Sequence, residues 1–161
     1  NSAGIERFPQ YHFDMVRLGI GLHGISATHA NLQPVSSFKT YISSIRNVPE
    51  GQSIGYGRKS YTTRPSRIAV IPVGNADGLN RHLSNRVGNV FIKGKRVPII
   101  GNICMDTCMI DVTDTNAATG DEVEIFGKNI LVTELAEQLG TIPYEILTGI
   151  SNRVKRVYYK E

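Results

Sequence analysis

The stretch IGYGRKSYTTRPSRIAVIPVGNADG, residues 54–78, decides the fold, because it joins a glycine-rich loop to a buried strand and a turn. Tyr56 stands between Gly55 and Gly57, which bring no side chains to shield it and allow backbone angles that other residues avoid. The apolar run 67–73 has the pattern of a buried strand, and the turn-forming sequence GNADG closes it. The pattern predicts an exposed tyrosine supported by a rigid strand. The alternative interpretation is a glycine-rich surface loop without a function.

Length and composition bound the class of protein. The chain has 161 residues, of which 40% are hydrophobic, enough for one core or for one domain with a piece of another. Eighteen Lys and Arg against fourteen Asp and Glu give a net charge of +4, but the basic residues are scattered. We therefore expect no nucleic-acid partner. No apolar run approaches about 18 residues, which argues against a membrane partner.

The two cysteines, Cys104 and Cys108, stand four residues apart, with no second pair and no histidine nearby. In an extended strand their Cα atoms would be about 13 Å apart, too far for a disulfide bond. The four histidines are dispersed and form no ligand motif. We therefore expect reduced core thiols in a cytoplasmic protein and no metal site.

Short strands dominate the chain after residues 30–34, which mark a candidate domain boundary. A later change of period predicts two short helices, one capped by Thr133 and one beginning at Pro143. About seven short strands with only two small helices are typical of a β-barrel or a β-sandwich. The predicted strands cover residues 38–48, 68–73, 87–93, 96–105, 109–112, 122–126 and 153–159, and the third and fourth of them form a hairpin.

An arginine interrupts an apolar segment near the start of the chain. Arg17 lies within residues 15–20, and burying a cation there is costly unless an acceptor meets it. One interpretation is an arginine that pairs with Asp14 or extends to solvent. The other is an arginine aimed into a site, where Gly19 and Ile20 offer backbone N–H groups to an anion.

Three separated segments carry a family resemblance. They are FDMVRLGI at residues 13–20, GYG at 55–57 with IPVGNADG at 71–78, and PIIGNICMD at 98–106 continued by MIDV at 109–112. In this order and spacing they resemble the fold-type III alanine racemases, which use pyridoxal phosphate. The resemblance implies a mainly β fold. A C-terminal β-barrel-like domain with two short helices is expected over residues 33–161, preceded over residues 1–32 by the last βα piece of a truncated (β/α)₈ barrel.

The same resemblance implies that the lysine that holds the cofactor lies in the barrel and is absent from this chain. The chain begins at Asn1 without a methionine, so we expect a fragment that is inactive alone. The parent is expected to interconvert L- and D-alanine for peptidoglycan synthesis in the cytoplasm of a bacterium. Such racemases are homodimers with shared active sites.

Racemisation requires a proton donor or acceptor on each face of the α-carbon, because one group cannot reach both. The missing lysine would serve one face. Tyr56 matches the family's catalytic tyrosine, which serves the other face and reaches the active site of the opposite subunit. A phenol acts as a base only where cations or hydrogen bonds favour its ionised form. The resemblance implies that the barrel supplies those groups.

The remaining site residues follow from the resemblance in the same way. Arg17 matches the arginine that faces the pyridine nitrogen, where a guanidinium that keeps its own proton leaves the ring a weaker electron sink. Ser2, Gly19 and Ile20 match positions that contact the cofactor phosphate, the latter two through backbone N–H groups. Met105 matches a residue whose backbone N–H meets the substrate carboxylate.

Three asparagines depart from the family pattern. Family members often have tyrosine at the position of Asn75, arginine at Asn102 and a phosphate-binding tyrosine at Asn152. Smaller side chains there would widen the entrance for larger substrates and leave fewer phosphate contacts. The alternatives are therefore a broad-specificity amino-acid racemase, a related fold-type III decarboxylase, or, from another class, a small β-barrel binding module.

Overall fold

The structure, a computed structural model, describes residues 1–28 and 31–159. Residues 29–30 of the predicted barrel piece and residues 160–161 of the predicted β domain lie outside it. The mainly β prediction is confirmed. The strands of the described residues are Phe38–Tyr41 (β1), Ser44–Val48 (β2), Ser53–Ile54 (β3), Ser60–Tyr61 (β4), Ser66–Ile71 (β5), Asn89–Ile92 (β6), Lys95–Ile100 (β7), Cys108–Asp111 (β8) and Glu122–Phe126 (β9).

The two helices predicted for the β domain are also present. The α-helices are Ser2–Arg7 (α1), Val132–Gln138 (α2) and Pro143–Thr148 (α3), and 3₁₀ turns occur at Pro9–Tyr11, Ile20–His23, Tyr56–Arg58, Asn75–Asp77 and Arg81–Leu83. Pro143 begins α3 as predicted. The Thr133 cap is wrong, because α2 begins one residue earlier and no side chain caps it. Val132 and Leu135 are buried, so packing on the core sets the start of this helix.

Seven strands form one sheet in the order β1-β9-β6-β7-β8-β5-β2, so its first and last strands are neighbours in sequence. A flat sheet would separate these two edges by six spacings, or about 29 Å. The chain from Tyr41 to Ser44 reaches at most about 11 Å. The sheet must therefore curl until its edges approach each other, which gives the barrel-like shape.

The corner between the two edges explains why the predicted strand 38–48 is two strands. Ile42 continues β1, since its N–H donates to Asp121 O (3.0 Å), and Ser43 begins β2, since its N–H donates to Val70 O (2.9 Å). The side chain of Ile42 is fully buried. The alternation that predicted one half-buried strand continues across this corner, so periodicity alone did not reveal it.

The β6–β7 hairpin is confirmed, with Lys93 and Gly94 at positive φ in its turn. The predicted strand 96–105 is shorter than expected, because β7 ends at Ile100. Gly101 follows with a φ of 72°, and a Cβ there would lie 3.1 Å from Ile54 O. This close approach turns residues 101–107 out of the sheet toward the β3–β4 hairpin.

The predicted terminal strand 153–159 is wrong, since no strand occurs between residues 151 and 159 of the described chain. The guanidinium of Arg156 donates hydrogen bonds to the carbonyls of Ile150, Ser151 and Val154. These contacts wrap the backbone around one side chain, which an extended strand does not permit.

Residues 1–28 contain α1 and two 3₁₀ turns. No strand occurs in this described range, so the strand of the predicted βα piece is not seen here. The segment exposes large apolar side chains, notably Phe13 and Met15, each 88% exposed. The barrel-like domain, in contrast, has a continuous apolar interior.

The interior of the barrel-like domain consists mainly of β-branched side chains. Ile71, Ile99, Ile110 and Val123 come from four different strands and are essentially inaccessible to solvent. Leu135 on α2 packs against this cluster and covers one side of it. No helix in the described chain is long and apolar enough to cross a membrane.

Replacing Ile42 by alanine should destabilise the fold strongly, because the side chain fills the corner that joins the two sheet edges. We expect the free energy of unfolding to fall by about 2–5 kcal/mol. Urea unfolding followed by circular dichroism measures the change. Val35→Ala, at a residue that is 68% exposed, is the control and should change stability by less than about 0.5 kcal/mol. Equal effects of the two substitutions would contradict the role of the corner.

Candidate functional site

Tyr56 lies at the tip of the β3–β4 hairpin and is 77% exposed. Gly55 and Gly57 both adopt left-handed angles, with φ of 74° and 75°, as the sequence led us to expect. A Cβ on Gly55 would lie 3.1 Å from Met109 Cε and 3.3 Å from Asn102 N, so the turn rests closely on the loop below it.

Two loops meet beside this hairpin. The N–H of Asn75 donates to Cys104 O (2.9 Å) and that of Ala76 donates to Met105 O (2.8 Å). Gly74 makes the approach possible, because a Cβ there would lie 2.5 Å from Met105 O. The N–H of Met105 makes no hydrogen bond within the described part of the chain, and the residue is exposed. The loop therefore presents a fixed backbone donor to solvent.

An arginine from the C-terminal segment holds the same two loops together. The guanidinium of Arg153 pairs with Asp77 and with Asp106, each at 2.7 Å. These two hydrogen-bonded carboxylates raise the pKa of Arg153 further above its already high value. Asp106 directly follows Met105, so the contact restrains the exposed donor as well.

A second group of predicted site residues lies at the start of the chain. Ser2 is 97% buried, given its 3% exposure, and its Oγ accepts hydrogen bonds from the N–H groups of Gly19 (3.0 Å) and Gly21 (3.1 Å). Gly19 and Ile20 were predicted to donate their N–H groups to a phosphate, but the N–H of Gly19 already donates to Ser2 Oγ. The N–H of Ile20 has no acceptor among the described residues.

Arg17 is exposed, and its guanidinium forms no ion pair or hydrogen bond within residues 1–28 and 31–159. Of the interpretations left open by the sequence, pairing with Asp14 is therefore not seen, whereas extension to solvent agrees with the exposure. It lies two residues before the Gly19–Gly21 turn. Tyr144, which the sequence did not single out, approaches the same turn, with its hydroxyl 3.5 Å from where a Cβ on Gly19 would be. Pro143 predicted the start of α3, the helix that carries Tyr144, but no sequence pattern indicated that this helix lies near Gly19.

The structure thus brings the predicted residues into two groups. Tyr56 and Met105 belong to loops that share Asn102 and its neighbours, whereas Ser2, Gly19 and Ile20 gather around the first turn of α1, with Arg17 next to them in sequence. No hydrogen bond or ion pair within the described chain joins Tyr56 to Arg17.

Both cysteines are free, as predicted. Burial raises the pKa of the Cys108 thiol to about 12, so this thiol is unreactive at neutral pH. Cys104 is partly exposed and its N–H donates to Thr107 O, which tightens the loop that carries Met105. The cysteines therefore have structural roles here.

Glu6 attaches residues 26–28 to the helix that carries Ser2. Its carboxylate accepts hydrogen bonds from the hydroxyls of Ser26 (2.5 Å) and Thr28 (2.6 Å) and from the N–H groups of Ala27 and Thr28. These hydrogen bonds, first those from the two hydroxyls, lower the pKa of Glu6 from its ordinary 4.5 to about 2.

Comparison with known proteins identifies a family match over most of the chain. The model described as "Alanine racemase, C-terminal domain" matches residues 35–158. Alanine racemase 2 of Caldanaerobacter subterraneus subsp. tengcongensis is 48% identical over 98% of this chain, and the alanine racemase of Methanococcus maripaludis is 45% identical over 98%. The chain spans 43% and 45% of the length of these two relatives, respectively.

Solved structures give the same result. Alanine racemase from Clostridium difficile 630 superposes with a TM-score of 0.93 at 40% identity, covering 99% of this chain and 43% of that one. Alanine racemase from Bartonella henselae with covalently bound pyridoxal phosphate gives 0.92 at 36% identity, covering 99% and 45%. These matches do not favour a decarboxylase or a small binding module.

The Glu6 contacts predict a pH dependence of stability. Because the pKa is lower in the folded state than in the unfolded chain, the stabilisation is fully present above about pH 4.5 and is lost as the pH falls toward 2. The stability difference between wild type and Glu6→Ala, measured by urea unfolding, should shrink across this range. Glu50→Ala, which removes an exposed carboxylate with no hydrogen bond in the described chain, is the control. Titration of Glu6 near pH 4.5, followed by NMR, would contradict this assignment.

Proposed function

This chain belongs to the alanine racemase family, and from that premise we propose that it is the C-terminal part of a pyridoxal-phosphate-dependent enzyme that interconverts L- and D-alanine. The observation that supports this most directly is the glycine-flanked, exposed Tyr56 beside a loop with a free backbone donor at Met105. A proton-transferring phenol and a carboxylate-binding N–H group are two of the functions that amino-acid racemisation requires.

Tyr56 acts as the acid or base on one face of the α-carbon. Its exposure leaves the hydroxyl free to reach a substrate outside its own chain, and its two glycines leave no side chain in the way. The base for the other face is a lysine outside this chain. A phenol reaches only one face of a bound amino acid, so the two groups are both needed.

The residues near α1 fit the cofactor. The Ser2 hydroxyl accepts two hydrogen bonds but has no acceptor for its own proton within the described residues, and the Ile20 N–H also lacks an acceptor. Such donors suit a phosphate. When bound, pyridoxal phosphate supplies the electron-withdrawing ring that makes the α-proton removable. Ser2 and Ile20 would hold its phosphate, with Gly19 orienting Ser2, and Arg17 would face the ring nitrogen.

Met105 binds the substrate carboxylate through its backbone N–H. The carbonyl of the same residue is fixed by Ala76, and Asp106 is fixed by Arg153, so the donor has little freedom to move. A donor that is already oriented needs no rearrangement when the anion arrives. The side chain of Met105 is not required for this contact.

The proposal extends to the whole protein. Residues 1–32 end an upstream (β/α)₈ barrel and residues 33–161 form the C-terminal β domain, a boundary supported by the family match beginning at residue 35. The protein is a cytoplasmic homodimer in which Tyr56 serves the partner's site, and within one chain no hydrogen bond or ion pair of the described residues joins Tyr56 to Arg17. Its D-alanine supplies peptidoglycan synthesis.

The direct test is an assay of the complete polypeptide with its cofactor. We expect interconversion of L- and D-alanine, followed by chiral chromatography, at a higher kcat/KM than for serine, lysine or arginine. The chain of residues 1–161 alone should show no turnover and no cofactor absorbance attributable to a lysine linkage. A clear preference for a large amino acid would refute the alanine assignment.

Tyr56→Phe in the complete enzyme removes only the phenolic hydroxyl. We expect racemisation to fall by about 10²–10⁴-fold, because general acid–base catalysis contributes that much, while the cofactor absorbance remains. Tyr61→Phe is the matched control, since Tyr61 is 54% exposed on the same hairpin. Loss of the cofactor spectrum in Tyr56→Phe, with equal loss of activity in both variants, would assign Tyr56 a structural role.

A further inference from the structure

A chain of side-chain hydrogen bonds runs beneath the Tyr56 turn. The Nδ2 of Asn102 donates to Tyr56 O (2.8 Å), and the Nδ2 of Asn85 donates to Asn102 Oδ1 (3.0 Å). The hydroxyl of Ser60 donates to Asn85 Oδ1 (2.8 Å) and accepts from the N–H of Gly101 (3.2 Å). The hydrogen bonds thus lead from Ser60 on β4 through Asn85 to Asn102 in the loop after β7, and from there to Tyr56 at the tip of the hairpin.

The hairpin needs such support. β3 and β4 contribute only two residues each, and an isolated two-stranded ribbon of this length is marginal in water. The turn between them contains two glycines in left-handed conformation, which add backbone freedom. Among the described residues, the carbonyl of Tyr56 accepts a hydrogen bond from Asn102 and from no other side chain.

Asn102 is itself held in place from both sides. Asn85 adopts a left-handed φ of 56°, and its N–H donates to Gly101 O (3.0 Å), so its backbone is tied to the residue before Asn102. In the side chain of Asn102, Oδ1 accepts a hydrogen bond from Asn85 Nδ2, and Nδ2 donates one to Tyr56 O. Both ends of the side-chain amide are therefore engaged. This arrangement makes Asn102 part of the hairpin's support rather than a free side chain at an entrance.

We propose that Asn102, held by Asn85 and Ser60, is a positioning residue that fixes the Tyr56 turn and thereby places the phenol for proton transfer. The inference rests on the proposed function for its catalytic consequence, but the restraint itself is a property of the protein alone. A displacement of about 1 Å in a reacting group can cost about a hundredfold in rate, so restraint of a glycine-flanked turn matters.

Asn102→Asp in the complete holoenzyme is the sharpest test. It preserves the shape of the side chain but replaces the N–H donor with an oxygen that repels the Tyr56 carbonyl. We expect kcat to fall by about 10–100-fold while KM changes less than about threefold, because the Met105 donor is untouched. The primary isotope effect with 2-deuterated alanine should rise in the direction in which Tyr56 takes the proton.

Amide hydrogen exchange measured by mass spectrometry provides a readout that does not depend on activity. In Asn102→Asp, exchange should accelerate in a peptide covering residues 54–61 and stay unchanged in one covering β7. Asn85→Ala leaves the Asn102–Tyr56 bond possible but unsupported, and should produce the same changes to a smaller degree. Asn47→Asp is the matched control, because Asn47 is exposed on β2 and its side chain makes no hydrogen bond in the described chain.

The outcomes separate this inference from the proposed function. If Asn102→Asp has the same hydrogen exchange and the same kcat as the wild type, the positioning role is refuted, even if the wild-type enzyme racemises alanine. If exchange in Asn102→Asp also accelerates across β7, the result for Asn85→Ala decides. Acceleration confined to residues 54–61 in Asn85→Ala supports the positioning role, and acceleration that again includes β7 assigns Asn102 a role in the whole fold. Unchanged exchange in Asn85→Ala refutes the proposal. Absence of racemisation in the wild type would refute the function, while exchange would still test the restraint.

Discussion

The closure of the sheet between Ile42 and Ser43 is the constraint on which the remaining structure depends. Two residues bring the first and last strands of a seven-stranded sheet within reach of each other. Because the sheet must curl to allow this, the side chains on its inner face meet in one apolar interior, and Ile42 lies in that interior itself. The strands thereby bring the loops at the rim close together, and hydrogen bonds between those loops fix them relative to one another.

The rim carries Tyr56 and Met105, to which we assign proton transfer and carboxylate binding. β7 leads into the loop of Met105, β5 leads into the turn of Asn75, and the β3–β4 hairpin lies beside both. Each loop is short and connected by backbone hydrogen bonds to a neighbour, so the barrel positions Tyr56 and Met105 together. The residues around Ser2, to which we assign the cofactor phosphate, instead depend on α1, which is not part of the curled sheet.

Much of the fold and the conformation of the Tyr56 turn could be predicted from the sequence. Glycines on both sides of Tyr56 allow the positive φ angles that the turn adopts, and such angles are often signalled by local residue type. β9, the β6–β7 hairpin and the proline at the start of α3 were likewise predicted from local patterns. The roles proposed for Arg17 and Met105 rest on the family resemblance alone, because no periodicity suggests them.

What the sequence did not reveal depends on contacts between distant residues. The corner at Ile42 preserves the alternation of a single strand, and the wrongly predicted strand after Arg153 alternates well but is bent by the hydrogen bonds of Arg156. Val132, rather than Thr133, starts α2 because its side chain is drawn into the core. The hydrogen bonds from Ser60 through Asn85 to Asn102 join positions 25 and 17 residues apart. Polar residues at such separations carry no local signal.

The contact between Gly74 and Met105 O has a consequence for how this protein can vary in length. Residues 74–76 and 104–105 are joined by backbone hydrogen bonds, and a side chain at Gly74 would not fit between them. An insertion or deletion in either loop would break these hydrogen bonds unless the other loop changed with it. Natural length variation should therefore accumulate in turns with room around them, such as the hairpin turn at Gly94, where an added Cβ would meet no atom within 4 Å.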